Sequence, residues 1–166
     1  MCSIIAPKRQ LAHAKAPTYA IVWSMPRVDS NLNNKPLLVS ALIVTRVDNH
    51  GVTEVLNVRA KNKVQYGFPG GKIESDETPK QAVIRETIEE LGVRPAKTTL
   101  QGLYSSLTPE GRKIDMYVFT GSISGDISPQ AEIAELHWLT YEQMLQNLEL
   151  LTPMTIEHVL PLIKNL

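Results

Sequence analysis

The stretch Gly71 to Val93, GKIESDETPKQAVIRETIEELGV, constrains this chain more than any other. It follows the glycine-rich turn Phe68-Pro69-Gly70-Gly71 and carries a helix whose two ends are both marked. Thr78 is the expected N-cap, Pro79 suits the first turn, Gln81 completes a capping box and Gly92 supplies the stop. At ~100° per residue, Glu86, Glu89 and Glu90 fall within an arc of roughly 100°. Ile84, Thr87, Ile88 and Leu91 are expected on the opposite side. Like charges at that spacing destabilise a helix by roughly 0.2–0.5 kcal/mol per pair, so the crowding asks for a counterion. Hard divalent cations take oxygen ligands and bind through carboxylates together with substrate phosphates.

The rest of the pattern is mostly strands. Residues 37–46 and 52–59 read as a hairpin joined by Asp48-Asn49-His50-Gly51, with Gly where a positive φ is needed. Val64 to Phe68 is expected to be a short strand entering the glycine turn. A second hairpin spans 100–107 and 113–121 around Pro109-Glu110-Gly111, and a polar loop from Ser122 to Gln130 leads to a strand at 136–139. Thr140 and Gln143 repeat the capping box for a helix to about Leu150. Thr152-Pro153 opens a last helix, which Pro161 should kink or end. Strands flanked by a mid-chain and a C-terminal helix predict an α/β fold with a mixed β-sheet between helices.

A chain of 166 residues fits one compact domain, taken as residues 36–166 after a leader, 1–35, that is partly extended. Within the leader, Tyr19 to Met25 is a candidate edge strand. Seventeen basic residues balance seventeen acidic ones, which argues against nucleic acid or a membrane surface as partner. The longest apolar run, Leu37 to Val44, is too short to span a bilayer. Cys2 is the only cysteine, so neither an internal disulfide nor a cysteine-rich zinc site can form, as expected for the cytoplasm. Leader and tail each offer material for a homodimer contact.

Gly71, Glu77 and the run Arg85-Glu86-Thr87-Ile88-Glu89-Glu90-Leu91-Gly92-Val93 resemble the Nudix box, MutT-like in its setting. The fixed letters, at about 1 in 15 each, give chance odds of about 1 in 10⁸ per starting position. Thr87 departs from the family pattern, which favours an aliphatic residue there. The resemblance implies an α/β/α sandwich and hydrolysis of a nucleoside diphosphate linked to another moiety. Water attacks phosphorus directly, in keeping with the lack of a Cys or Ser nucleophile context. The Gly71 carbonyl with Glu86, Glu89 and Glu90 would hold one to three Mg²⁺ or Mn²⁺ ions against the pyrophosphate. Glu77 and Arg85 would form a brace between loop and helix.

Glu132 lies six positions before Trp138, where family members place an extra carboxylate for metal or water; an ordinary loop acid is the competing reading. Glu135 and Glu110 are further candidates. The catalytic set is thus Arg85, Glu86, Glu89, Glu90 and Glu132. For substrate, Arg59 either grips a phosphate or sits in a surface ion pair, and Lys72 beside the glycine turn is a similar case. Phe68 and Tyr66 either stack on a base or join the core. Pro109 resembles a mark of ADP-ribose hydrolases, but the favoured reading is an ordinary turn proline before Glu110-Gly111. The substrate expected is a small nucleotide, a MutT-like (deoxy)nucleoside triphosphate. ADP-ribose or another nucleotide sugar is the enzymatic alternative, and a non-catalytic nucleotide-binding module the other.

Overall fold

The computed structural model describes residues 35–108 and 110–166. In chain order the strands are β1 (Leu37–Val47), β2 (Thr53–Ala60), β3 (Gly70–Lys72), β4 (Ala96–Leu107), β5 (Lys113–Ser122) and β6 (Ile133–Thr140). The helices are α1 (Pro79–Leu91), α2 (Tyr141–Gln146) and α3 (Leu160–Ile163). The leader up to residue 34, with its candidate edge strand, and Pro109 lie outside the described residues.

β1 is the centre of the molecule because its sequence, LLVSALIVTRV, is aliphatic on both faces. It runs parallel to β5 from Leu37 opposite Ile114 to Val44 opposite Gly121. Its other edge takes β3 first and β2 further along, both antiparallel. The order is β4-β5-β1-β2-β6, and β3 beside β1 completes a mixed six-stranded sheet. Alternation along β1 sends Leu42 and Val44 toward Val83 and Leu91 of α1. Ala41 and Ile43 point the other way, toward Met144, Val159, Leu160 and Ile163. Helices therefore cover both faces, which is the expected α/β/α sandwich. Truncating Leu42, fully buried, to Ala should cost about 2–5 kcal/mol.

Both capping boxes are present, at Thr78 with Gln81 and at Thr140 with Gln143. Gly92 ends α1 at φ 74°, its N–H donating to the Ile88 carbonyl. The Asp48–Gly51 turn closes with Gly51 at φ 78°.

Several expectations need correction. Val64 to Phe68 is not a strand: Gly67 makes a single bridge to Val58 and Tyr66 another to Leu151. The Tyr66 N–H is taken by the Leu150 carbonyl, so the segment crosses toward the C-terminal helices before Gly70 joins β1. β4 starts earlier than expected, at Ala96, through a register shift between Ala96 and Thr99 with Lys97 at φ 51°. The helix after Thr140 ends at Gln146 and continues only as a tight turn, Leu148–Leu150. Near Pro161 the chain stays helical but widens into a π turn, Thr155–Val159. Proline has no N–H and its ring crowds the carbonyl one turn back, and the wider turn relieves both. Finally, α1 docks with Ala82, Val83, Thr87 and Leu91 inward, leaving Ile88 39% exposed. That rotation carries Glu86 and Glu90 against the glycine turn instead of into solvent. Among the described residues, no helix is long and apolar enough to cross a membrane.

Candidate active site

The glycine turn is built for close approach. Gly70 sits at φ 145°, and a Cβ there would lie 2.8 Å from the Ala41 Cα. A Cβ on Gly71 would run into the Glu86 carboxylate. Only glycines let β3 lie between β1 and α1. The Gly70 N–H donates to Glu90 Oε2 at 2.8 Å, so the turn grips one of the helix acids directly. Ser40 of β1 ties the helix start, its hydroxyl donating to the Pro79 carbonyl at 2.8 Å.

Glu86 and Glu90, one turn apart on α1, are joined by Glu132 from the loop before β6. The carboxylate oxygens of these three lie within 4.8 Å of one another. Two backbone bonds hold the loop there: Gln130 N–H to the Glu90 carbonyl at 2.9 Å, and Lys61 N–H to the Glu132 carbonyl at 2.8 Å. Lys61 also donates through Nζ to the Ala131 carbonyl. Burial pushes Glu90 up to about 8, against the Gly70 N–H, while Glu86, Glu132 and Glu89 add repulsion. Burial also raises Glu86 above the usual carboxylate range, opposed by Arg85.

Arg85 organises the other side. Its Nε donates to Glu77 Oε2 at 3.1 Å and its Nη2 to Glu77 Oε1 at 2.7 Å, the bidentate brace expected of this pair. Nη2 also reaches the Lys72 carbonyl, and Nη1 reaches Glu86 Oε1 at 2.8 Å and Glu89 Oε2 at 3.1 Å. Glu77 holds its charge firmly: Arg85 first, then the Glu74 N–H, keeps its carboxyl below the usual range. Glu89 is thus held by Arg85 and is not one of the three clustered acids.

The remaining candidates separate into two regions. Arg59 is engaged by Glu135 through both Nε and Nη2, and its Nη1 donates to the Lys63 carbonyl at 3.1 Å. Arg59 thus makes an ion pair, the alternative weighed for it from sequence. Tyr66 joins the same network, its hydroxyl donating to Glu135 at 3.2 Å. Phe68 is 7% exposed and belongs to the core, and it also lines a cavity of about 270 Å³. Val39, Ala41, Met116, Met154 and Thr155 share that cavity with Gly70 and Gly71, and the exposed Lys63 and Glu110 line it too. Glu110 pairs with Lys63 and is not among the clustered acids. Lys72 contributes its carbonyl to Arg85, while its side chain is exposed. Lys61 and Gln130 position the cluster and were not singled out from sequence, whereas Gly70 was marked there as part of the glycine-rich turn.

The donor set fits a hard divalent ion. Three carboxylates converge with a single guanidinium reaching one of them, and the Gly71 backbone lies where any side chain would collide with Glu86. Glu86, Glu90 and Glu132 are the residues that would hold it.

Known proteins resemble this arrangement. A "MutT-like protein" of Streptomyces ambofaciens is 32% identical over 107 residues, covering 64% of this chain and 65% of that protein. An "8-oxo-dGTP diphosphatase" of Escherichia coli is 56% identical over 39 residues, covering 24% of this chain and 29% of that protein. The chain thus spans less than two thirds of the length of these curated relatives. Among solved structures, the NUDIX domain of Shewanella oneidensis NrtR in complex with ADP ribose superimposes with a TM-score of 0.61 at 22% identity. That match covers 78% of this chain and 85% of the other. The NUDIX domain model matches residues 36–160, from the first residue before β1 to the start of α3, and the chain belongs to the NUDIX domain family.

Proposed function

We propose that the protein is a divalent-metal-dependent pyrophosphohydrolase that cuts a MutT-like nucleoside triphosphate into a monophosphate and pyrophosphate. The observation that carries this reading is the meeting of Glu86, Glu90 and Glu132 beside Gly71, which also lines an apolar cavity of about 270 Å³. That volume is near the lower end for small-ligand sites, about 300 Å³, and suits one nucleoside better than two. Mg²⁺ or Mn²⁺, one to three ions, would supply Lewis-acid stabilisation of the charge on the diphosphate.

The chain's own groups do the rest. Gly70 and Gly71 let the backbone turn lie against Glu86 and Glu90, so that the acids meet beside it. Arg85 keeps Glu86 and Glu89 oriented while Glu77 holds Arg85. Glu132 is the exposed member of the trio, so it is the acid that solvent reaches and the one we assign as proton acceptor from the attacking water. The water oxygen bonds to phosphorus, its proton passes to the carboxylate, and the phosphorus bond to the leaving phosphate oxygen breaks. Lone Cys2 is consistent with a reducing, cytoplasmic setting.

The test is a panel of nucleoside triphosphates, ADP-ribose and nucleotide sugars with Mg²⁺, following both phosphorylated products. Triphosphates should be the better substrates. The likeness to a domain that binds ADP ribose supports the second reading, and turnover of ADP-ribose with inert triphosphates would select it. A pure binding module would turn over nothing, although it would have no need to keep the three clustered acids.

A further inference from the structure

The cavity beside Gly70 and Gly71 has one charged pair among its lining residues. Lys63, from the loop after β2, and Glu110, at the tip of the β4–β5 turn, both line it and pair across it at 3.2 Å. Their side chains are 58% and 64% exposed, so the pair itself stabilises little and opens easily. Yet both ends are held from behind. Arg59, fixed by Glu135, binds the Lys63 carbonyl. The Glu110 turn is closed by Gly111 N–H to the Thr108 carbonyl and by Arg112 N–H to the Thr108 hydroxyl. The Thr108 hydroxyl, the Glu110 backbone and Lys63 keep the Glu110 carboxyl charged, below its ordinary range.

We infer that Lys63 and Glu110 are the base-reading pair of this site and that together they select guanine. The inference rests on the nucleotide reading of the neighbouring acid cluster. A carboxylate offers two parallel acceptors and no donor. Guanine alone among the bases presents two adjacent donors, N1–H and the 2-amino group, next to a carbonyl that an ammonium can meet. Adenine and cytosine set a ring-nitrogen acceptor beside their amino group, which would face the second carboxylate oxygen and repel it. Uracil and thymine offer one N–H between two carbonyls. The apolar interior holds the ring, and the exposed pair decides which ring.

Binding of GMP, IMP and AMP in Mg²⁺ tests the pair without requiring turnover. Wild type should hold GMP about tenfold tighter than AMP, with IMP, which lacks the 2-amino group, between them. Glu110→Gln, which keeps shape and loses one acceptor, should bring the GMP to AMP ratio near one. Lys63→Met should weaken GMP and IMP alike. Circular dichroism confirms that both surface variants fold. An unchanged ratio in Glu110→Gln, or no preference for GMP in wild type, overturns the inference whatever the activity. Triphosphates that prove inert while Glu110→Gln still abolishes the GMP preference would sink the triphosphate reading and leave the pair standing.

Discussion

Glu132 and Glu135 stand three positions apart and end in opposite surroundings. Glu135, on β6, meets Arg59 of β2, the Tyr66 hydroxyl and His137, and its carboxyl is pulled down to about 2, chiefly by Arg59. Glu132 meets two more acids, Glu86 and Glu90, and burial with mutual repulsion pushes Glu90 up to about 8. One cluster is completed by the chain's own cation. The other is crowded beyond what a single Arg85 contact neutralises, although Lys61 lies close by with its ammonium turned to a backbone carbonyl. This contrast, one acid fully paired and three left together, is what the proposed cation site rests on.

The sharpest way to break that contrast is Glu90→Gln. Turnover should fall by about 10²–10³ with the fold retained, and unchanged turnover would falsify the assigned role of the cluster. Next in size is the response to metal. At a hundred times its dissociation constant, Mg²⁺ should add about 2.7 kcal/mol to wild-type stability in thermal melts, and Glu86→Gln should lose most of that gain. Arg85→Ala comes third. It strands Glu77, Glu86 and Glu89, and because Arg85 is 28% exposed the loss should be about 2 kcal/mol rather than the full cost of a buried pair. Urea denaturation would measure it, and Arg85→Lys should recover only part, since an ammonium cannot span Glu77 as a fork.

Much of this was readable from local signals. Thr78, Gln81 and Gly92 fixed α1 because capping chemistry depends only on neighbours in sequence. The brace was readable through the resemblance to the Nudix box, which implies a pairing of Glu77 with Arg85. What escaped was tertiary. Ile88 reads as core and stays exposed because docking on β1 favoured Val83, Thr87 and Leu91. Glu89 resembles Glu86 and Glu90 in sequence, yet one residue along a helix is 100° of rotation, enough to hand it to Arg85. That Arg59 meets Glu135 turned on the register of β2 against β6, which places the two opposite each other. No periodicity within either strand carries that information.

The smallest effect is also the one that separates the two acid environments by sign. Glu135 is depressed to about 2 in the fold against about 4.3 unfolded, so its contribution is present above about 4.3 and fades as pH falls toward 2. The stability gap between wild type and Glu135→Gln should therefore be level at neutral pH and close on acidification. Glu90 behaves in reverse when metal is removed. With a folded value of about 8, the native state keeps a proton that the unfolded chain gives up above about 4.3. Wild type in chelator should thus lose stability as pH rises toward 8, and Glu90→Gln should flatten that slope. Melts of the three proteins across pH 3 to 9 read both windows at once. A Glu90→Gln curve that parallels wild type through the upper window would mean the acid cluster is compensated after all, and the contrast with Glu135 would vanish.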